Sequence, residues 1–258
     1  MSIQTRTAEG ILTIEFDRAD KKNAITAAMY QTLADAFRAA EPAPAVRVIL
    51  LRGKPEIFTA GNDLEDFLQR PPTTAADGTP APVFQFLQAI STACKPVVAA
   101  VSGAAVGVGT TMLLHCDLVY ASETAKLSLP FAQLGLCPEA ASSLLLPRLV
   151  GYQRAAEKLM LGEAFNAQEA LDMGLVNRVL PVAELHDFAL AQARKLAALP
   201  ASSLRETKRL MKGGDAAIVG KRMLEEGEVF RRMLVAPEAK EAFTAFFGKR
   251  KPDFSKFA

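Results

Sequence analysis

Two short stretches carry the residue types and spacings that could do chemistry. Residues 57–64 read IFTAGNDL and residues 102–117 read SGAAVGVGTTMLLHCD. Each follows an apolar run, turns at glycine and enters a helical pattern. Such strand-to-helix turns present backbone N–H groups to something negative: a phosphate, a dinucleotide or an oxyanion formed during a reaction. A Rossmann fingerprint needs G-x-G-x-x-G, but Gly107-Val108-Gly109 runs on into Thr110, Thr111 and Met112, so the third glycine is missing. A P-loop needs Gly-Lys-Ser/Thr, and no lysine lies between Lys95 and Lys126. A blander reading is that the glycines only let a helix pack closely on a sheet. The presence of two turns shifts the balance, because two turns can aim two N–H donors at one point, where charge develops on a carbonyl oxygen. The helix starting near Gly109 would add its N-terminal dipole.

The elements that must position these turns follow from periodicity. Ile3–Thr7 and Ile11–Phe16 flank Glu9-Gly10 and predict a β-hairpin. Thr26 caps a predicted helix through Met29, Leu33 and Phe37. Val46–Leu51 and Pro96–Val101 are continuous apolar runs of the kind buried on both faces, with a helical pattern over Phe84–Ala93 between them. Leu118–Ala121 and Lys126–Leu129 predict further short strands, and PPTTAADGTPAP at 71–82 a loop beside a site. Helical patterns then cover about 141–160, 167–173, 184–198, 201–211, 216–234 and 237–247. The expectation is an α/β core over residues 1–198 and a helical oligomerisation region over 199–258.

Composition removes several function classes. The 258 residues are 50% hydrophobic and 22% charged, with a formal net charge of +2, which gives no cause to expect nucleic acid or an anionic membrane as partner. Cys94, Cys116 and Cys137 form no CxxC pair and sit among apolar residues, which predicts buried thiols. With only His115 and His186, a His-rich metal site is excluded. The segment MSIQTRTAEG has no apolar core, so no signal peptide is expected, and no run nears the roughly 18 apolar residues of a membrane span. These features predict a cytoplasmic protein.

Phe58-Thr59-Ala60-Gly61-Asn62-Asp63-Leu64, then Lys95-Pro96-Val97-Val98-Ala99-Ala100-Val101-Ser102-Gly103 through Gly107, resemble the two signature segments of the enoyl-CoA hydratase/isomerase (crotonase) superfamily. CDLVYAS at 116–122 and the A-x-x-x-G-L-V-N-x-V form at 170–179 match as well, in the right order. The resemblance implies a ββα spiral core with a C-terminal helical region, assembling as a homotrimer or homohexamer. It also implies an acyl-CoA thioester as substrate, with coenzyme A part of that substrate and no separate cofactor. The oxyanion hole would use the N–H of the residue after each key glycine, here Asn62 and Val108. Gly61 and Gly107 would let the thioester carbonyl approach where a Cβ would obstruct it.

Hydratases of the family use two glutamates, and the aligned positions are Thr111 and Phe131, neither able to transfer a proton as a carboxylate does. One carboxylate remains, Glu139, beside Pro138 at a predicted helix start. Taken alone it reads as a first-turn acid favoured by the helix dipole. However, PFAQLGLCPEAASSLLLP at 130–147 is similar to the segment of the peroxisomal-type Δ3,Δ2-enoyl-CoA isomerases whose glutamate is the catalytic base. The resemblance then implies a base at Glu139; an apolar wall around it, with Phe131, Leu136 and Leu144 as candidates, would raise its pKa toward useful basicity.

The same resemblance places substrate contacts at Ala60, Gly61, Asp63, Leu64 and Gly107, with Thr111 and Phe131 at the acyl pocket. Arg18, Lys21 and Lys22 lie in the coenzyme A loop, although a solvated basic loop fits them equally. Asp63 is read first as a helix cap, Thr110 and Thr111 as pocket lining or caps, His115 and Cys116 as core residues, and Asp117 as a turn anchor. The leading expectation is a Δ3,Δ2-enoyl-CoA isomerase of fatty-acid β-oxidation. A hydratase or other acyl-CoA lyase is the alternative within the family, and a non-catalytic acyl-CoA-binding protein the alternative outside enzymology. A dinucleotide oxidoreductase comes third. The final SKFA is not the SKL peroxisomal address.

Overall fold

The structure is a computed structural model that describes residues 2–69 and 78–257. Nine strands occur among the described residues: β1 (Ile3–Ala8), β2 (Ile11–Phe16), β3 (Val48–Arg52), β4 (Val97–Val101), β5 (Ala104–Val106), β6 (Leu118–Ser122), β7 (Lys126–Ser128), β8 (Phe165–Asn166) and β9 (Arg178–Leu180). The helices are α1 (Ala27–Ala40), α2 (Leu64–Gln69), α3 (Pro82–Thr92), α4 (Val108–Thr111), α5 (Ser142–Val150), α6 (Tyr152–Ala156), α7 (Ala167–Asp172), α8 (Val182–Ala198), α9 (Ala201–Gly213), α10 (Ala216–Leu234) and α11 (Pro237–Phe247).

The main sheet has the order β1-β2-β3-β4-β6-β9. The hairpin β1–β2 is antiparallel and every later pairing is parallel. Its central strands are buried on both faces, and their side chains divide by the period of two. Ile49, Leu51, Val97, Ala99 and Val101 point into a core with α1 and α3. Val48, Leu50, Val98 and Ala100 point into a second core under α8. There Ala189, Ala193 and Ala197, four residues apart on one helical face, let α8 lie close to the sheet. A smaller sheet, β5-β7-β8, flanks the first.

The α/β class and the all-helical final stretch therefore agree with the sequence pattern. The hairpin, the cap in which Thr26 Oγ1 accepts from Met29 N at 3.3 Å, and helices α10 and α11 fall where predicted. Five features do not. The pattern over 141–160 is not one helix: Gly151, at φ +84°, separates α5 from α6, and a π-turn over Glu157–Leu161 follows. The helix expected over Gly109–His115 is only the single turn α4, continued by a 3-10 turn over Met112–His115. Strands β5, β8 and β9 have no counterpart in the sequence pattern, because two or three residues show no period of their own and only β7, which runs on into the apolar Leu129, stands out. Of the predicted loop 71–82, residues 71–77 lie outside the described residues, and Pro82 already opens α3. Cys94 is exposed, not buried, at the turn between α3 and β4. No described helix is long and apolar enough to cross a membrane.

Lys95, the first residue of the KPVVAAV stretch, has a packing role. Its Nζ is buried and donates to the carbonyls of Ala40, Ala43 and Val46 at 2.5, 2.7 and 2.6 Å. It thereby closes the C-terminus of α1 and the connection to β3. Lys95→Met keeps the apolar stem but strands three carbonyls. A loss of about 2–4 kcal/mol is expected, read as a lower urea midpoint with an unchanged m-value.

Candidate active site

The two glycine turns meet because of a strand register. Thr59 bridges Ala105 in parallel, with Thr59 N donating to Ala104 O at 2.9 Å and Val106 N to Thr59 O at 3.1 Å. Beyond this bridge the turns stay in contact: a Cβ on Gly61 would stand 2.5 Å from Val106 O, so Gly61 packs on the residue just before Gly107. Asn62 also bridges Ile25: Ile25 N donates to Gly61 O at 2.8 Å and Asp63 N to Ile25 O at 3.0 Å. Successive N–H groups of an extended segment point to opposite sides, so the Asn62 N–H is turned away from Ile25. Val108 is the first residue of α4, where an amide has no intrahelical acceptor. Among the described residues neither amide has an acceptor. Two adjacent unspent donors are what an oxyanion requires.

Both glycines are needed for the backbone they adopt. Gly61 has φ +84°, and a Cβ there would stand 2.5 Å from Val106 O. Gly107 has φ +55° with ψ −116°, and a Cβ there would meet nothing within 4 Å. The space over Gly107 is thus open for an approaching group, while Gly61 is fixed by contact with the neighbouring turn.

Several side chains hold this arrangement. Asn23, buried and in the left-handed region at φ +54°, donates from Nδ2 to Ile57 O (3.1 Å) and Phe58 O (3.0 Å). Thr59 Oγ1 donates to Asn23 O at 2.6 Å and accepts from Gly61 N at 3.1 Å. The Tyr30 hydroxyl donates to Asn62 Oδ1. Asp63 Oδ1 accepts from Asp66 N at 3.1 Å in the first turn of α2, as a cap should, and its other oxygen binds Arg18 at 2.6 Å. Despite the opposing effect of burial, the Arg18 ion pair and the amide bonds hold the Asp63 carboxyl below its usual range. Arg18 is therefore committed to this loop. Lys22 is exposed, without an ion pair among the described residues, and its carbonyl accepts from Ala60 N at 2.9 Å. Leu64 opens α2, half-buried.

Glu139 is not a first-turn acid of the following helix, which starts three residues later at Ser142. Its side chain is buried, and one oxygen accepts from the hydroxyl of Thr111, itself fully buried on α4. The other oxygen, Oε2, has no hydrogen-bond partner among the described residues. Burial is the main reason its carboxyl is pushed from 4.5 up to about 8; the Thr111 hydrogen bond opposes the rise and the nearby charge of Glu226 adds to it. Tyr30 lies close enough that the Glu139 charge, together with burial, raises its phenol well above the usual value. Tyr30 thus bonds the Asn62 loop while lying within reach of the Glu139 charge.

Glu139 lies on the wall of a cavity of about 1210 Å³ between α3 and helices α9 and α10, which Phe84, Leu87, Leu114 and Met223 also line. Neither glycine turn lines that cavity. Phe131 and Leu136 are buried in an apolar cluster with Phe67, Leu146 and Phe230, while Leu144 is half-buried and outside it. His115 is a core residue as expected: burial holds its imidazole down to about 4, and Nε2 donates to Ala140 O at 2.8 Å. Asp117 accepts from Val97 N at 2.8 Å and pairs with the buried Lys208 of α9 at 2.7 Å. Burial pushes the Cys116 thiol to about 12 and the Cys137 thiol to about 11. Sequence reasoning missed Asn23, Tyr30 and Glu226, whose partners are remote in the chain. Only Asn23, a residue type suited to the left-handed region within a polar loop, left any local signal.

A family model described as enoyl-CoA hydratase/isomerase matches residues 6–256. The chain belongs to the enoyl-CoA hydratase/isomerase family. Enoyl-CoA delta isomerase 2 of Rattus norvegicus is 34% identical over 249 residues, which cover 95% of this chain and 63% of that protein. The 2,3-dehydroadipyl-CoA hydratase of Escherichia coli is 30% identical over 244 residues, covering 95% and 94%. The crystal structure of an enoyl-CoA hydratase/isomerase from Pseudoalteromonas atlantica T6c matches with a TM-score of 0.93 at 41% identity, over 99% of this chain and 100% of that one. Pseudomonas aeruginosa OdaA matches with a TM-score of 0.91 at 45% identity, over 95% and 98%. The crotonase fold with its C-terminal helical region, expected from the sequence, is the fold of this enoyl-CoA hydratase/isomerase family member. The relatives' names include both hydratases and isomerases, so the choice of reaction rests on side chains.

The buried Glu139 makes stability depend on pH. Its carboxyl is raised in the folded chain, so its contribution is complete below about pH 4.5 and lost as pH climbs through about 8. Glu139→Gln is expected to remove this decline and to be more stable than wild type by about 1–3 kcal/mol at pH 8, with no difference at pH 4.5. Urea denaturation across that range checks it.

Proposed function

We propose that this protein is a Δ3,Δ2-enoyl-CoA isomerase, moving the double bond of a 3-enoyl-CoA to the trans-2 position with Glu139 as its single proton carrier. The observation that carries this reading is the Glu139 carboxyl: buried, held through one oxygen by Thr111, with the other oxygen partnerless. In the reaction, Oε2 takes a proton from C2, and the electrons of that C–H bond pass into a dienolate. The charge settles on the thioester oxygen against the amides of Asn62 and Val108. Glu139 then returns the same proton to C4, and the double bond is left between C2 and C3. No atom is gained or lost, so one carboxyl suffices.

Hydration needs more. A water must be activated and the α-carbon protonated, yet the two positions where the resemblance puts the hydratase glutamates hold a hydroxyl and a phenyl ring. Thr111 spends its hydroxyl on Glu139, and Phe131 is buried in an apolar cluster. Each oxyanion donor would contribute about 3–4 kcal/mol to the transition state. On this reading coenzyme A belongs to the substrate, residues 60–64 meet it largely through backbone, and the unpaired Lys22 ammonium suits its phosphates. Assembly as a homotrimer or homohexamer is part of the same proposal, supported by exposed apolar residues such as Leu210, Ile218 and Phe246 on α9 to α11.

The first test is a spectrophotometric assay with 3-hexenoyl-CoA. Wild type is expected to form 2-hexenoyl-CoA without hydrating it onward, and Glu139→Gln to lose about 10²–10⁴-fold in kcat. Binding without turnover would favour the non-catalytic alternative, and formation of the 3-hydroxy product the hydratase. With the carboxyl at about 8, only about a tenth is ionised at pH 7, so kcat/KM should rise with pH through a single inflection near 8. Thr111→Val removes the hydrogen bond that favours ionisation. It is expected to move that inflection upward and to lower kcat/KM at pH 7 about tenfold.

A further inference from the structure

The segment that presents Glu139 is unusual in its backbone. Ala140 and Ala141 both occupy the left-handed region, at φ +59° and +55°, although neither is glycine or asparagine. Each such residue is strained, and the pair persists only if its surroundings hold it. Ala141 also stands at the N-cap of α5, where it has no side chain to satisfy the exposed amides. The missing cap comes from a residue remote in sequence. Glu226, buried on α10, accepts from Ala141 N at 2.6 Å through Oε2, and from Ser143 N at 3.0 Å and Ser143 Oγ at 2.5 Å through Oε1. Arg222 Nη1 donates to the same Ser143 hydroxyl at 3.3 Å. On the other side of the turn, His115 Nε2 donates to Ala140 O, and Glu139 O accepts from Ser142 N at 3.0 Å and Ser142 Oγ at 2.6 Å.

We propose that Glu226 is a positioning residue for Glu139: from the C-terminal helix α10 it clamps the strained turn at Ala140 and Ala141 and places a second buried negative charge beside the base. The inference rests on the isomerase reading for its catalytic consequence, but the coupling of the two carboxyls stands apart from it. Burial pushes the Glu226 carboxyl above its usual value, opposed by its bonds from Ser143 and the Ala141 amide and by the Arg222 charge; these N–H and O–H groups all donate to it, which suits the acceptor-only form. The groups facing Glu139 are Thr111 from α4, Tyr30 from α1, Glu226 from α10 and Cys137 in its own loop. Those facing Glu226 are Ser143, Cys137 and Arg222, the last a cation on its own helix. His115 is neutral at working pH. The negative charge of Glu226 therefore keeps the Glu139 proton bound to higher pH than burial alone would, and its hydrogen bonds fix where the carboxyl points. The C-terminal helices thus reach into the chemistry of the core.

The test reads Glu139 directly. In protein labelled with 13C at the glutamate δ-carbon, the Glu139 signal is the one lost in Glu139→Gln. In Glu226→Gln its titration midpoint should move down by about half a pH unit or more, because a like charge is gone. The alkaline plateau of kcat/KM for 3-hexenoyl-CoA should fall about tenfold, because one amide loses its acceptor. Arg222→Gln, half-buried one turn before Glu226 on α10, leaves the Glu226 charge less neutralised and should move the midpoint the opposite way. An unmoved midpoint in both variants overturns the proposal, as does one in Arg222→Gln alone if Glu226→Gln does not fold. A wild type that fails to isomerise 3-hexenoyl-CoA while the midpoints move as stated would sink the isomerase reading and leave the clamp standing.

Discussion

A carboxyl held inside an apolar surrounding is the constraint on which this site depends. Water would stabilise the Glu139 anion, and burial removes that help, which is why its carboxyl is held up to about 8. The gain is a stronger base than an exposed glutamate would be. The cost is a group that opposes folding at neutral pH, set in a turn with two alanines in the left-handed region. The surroundings answer both. Thr111 binds one oxygen, His115 and Ser142 hold the turn, and Glu226 caps the helix that follows. None of these contacts occupies Oε2, the oxygen that the proposed reaction needs free.

In the proposed reaction the acceptor side would be built by different means, from backbone alone. A parallel bridge between Thr59 and Ala105 brings the turns abreast, and a second bridge to Ile25 turns the Asn62 amide outward. Backbone donors carry no rotamer freedom, so once the register is set little remains to be ordered when charge appears. The side chains invested here, Asn23, Thr59 and Tyr30, are all spent on orientation. Tyr30 joins the two halves, since it holds the Asn62 side chain and senses the Glu139 charge.

What the sequence makes legible is whatever is local. Gly61 and Gly107 announce themselves because only glycine sits comfortably at their φ, and the strands β3 and β4 because burial on both faces leaves an unbroken apolar run. Thr26 and Asp63 are recognisable as caps because their partners lie three residues on. Glu139 is visible as a residue but not as an environment. Its proximity to a proline suggested a helix start, and nothing nearby shows that α5 begins only at Ser142 or that Thr111 turns toward it. Glu226 is the extreme case. In the run EEGEVF it reads as one more exposed helical acid, because the amides that hold it lie in another element, most of a hundred residues earlier. The break at Gly151 was hidden for the opposite reason: the apolar period continues through it while the backbone does not.

The arrangement also explains how one fold could serve reactions with different numbers of acids. Two ionised carboxylates in a desolvated cleft raise each other's affinity for protons, so a second acid beside Glu139 would have to be neutral, hydrated or neutralised. In this chain the second carboxylate, Glu226, is kept off the reacting side by its three donors and by Arg222. It influences the base without being able to transfer a proton itself. The position on α4 that would face the substrate carries the Thr111 hydroxyl, which has only one proton to donate and gives it to Glu139. On the proposed reading, a proton taken by Oε2 would have no acceptor among the described side chains to pass to, and the carbon framework from which it came would be the group placed to receive it. Keeping the proton local in this way favours a shift of the double bond over the addition of water.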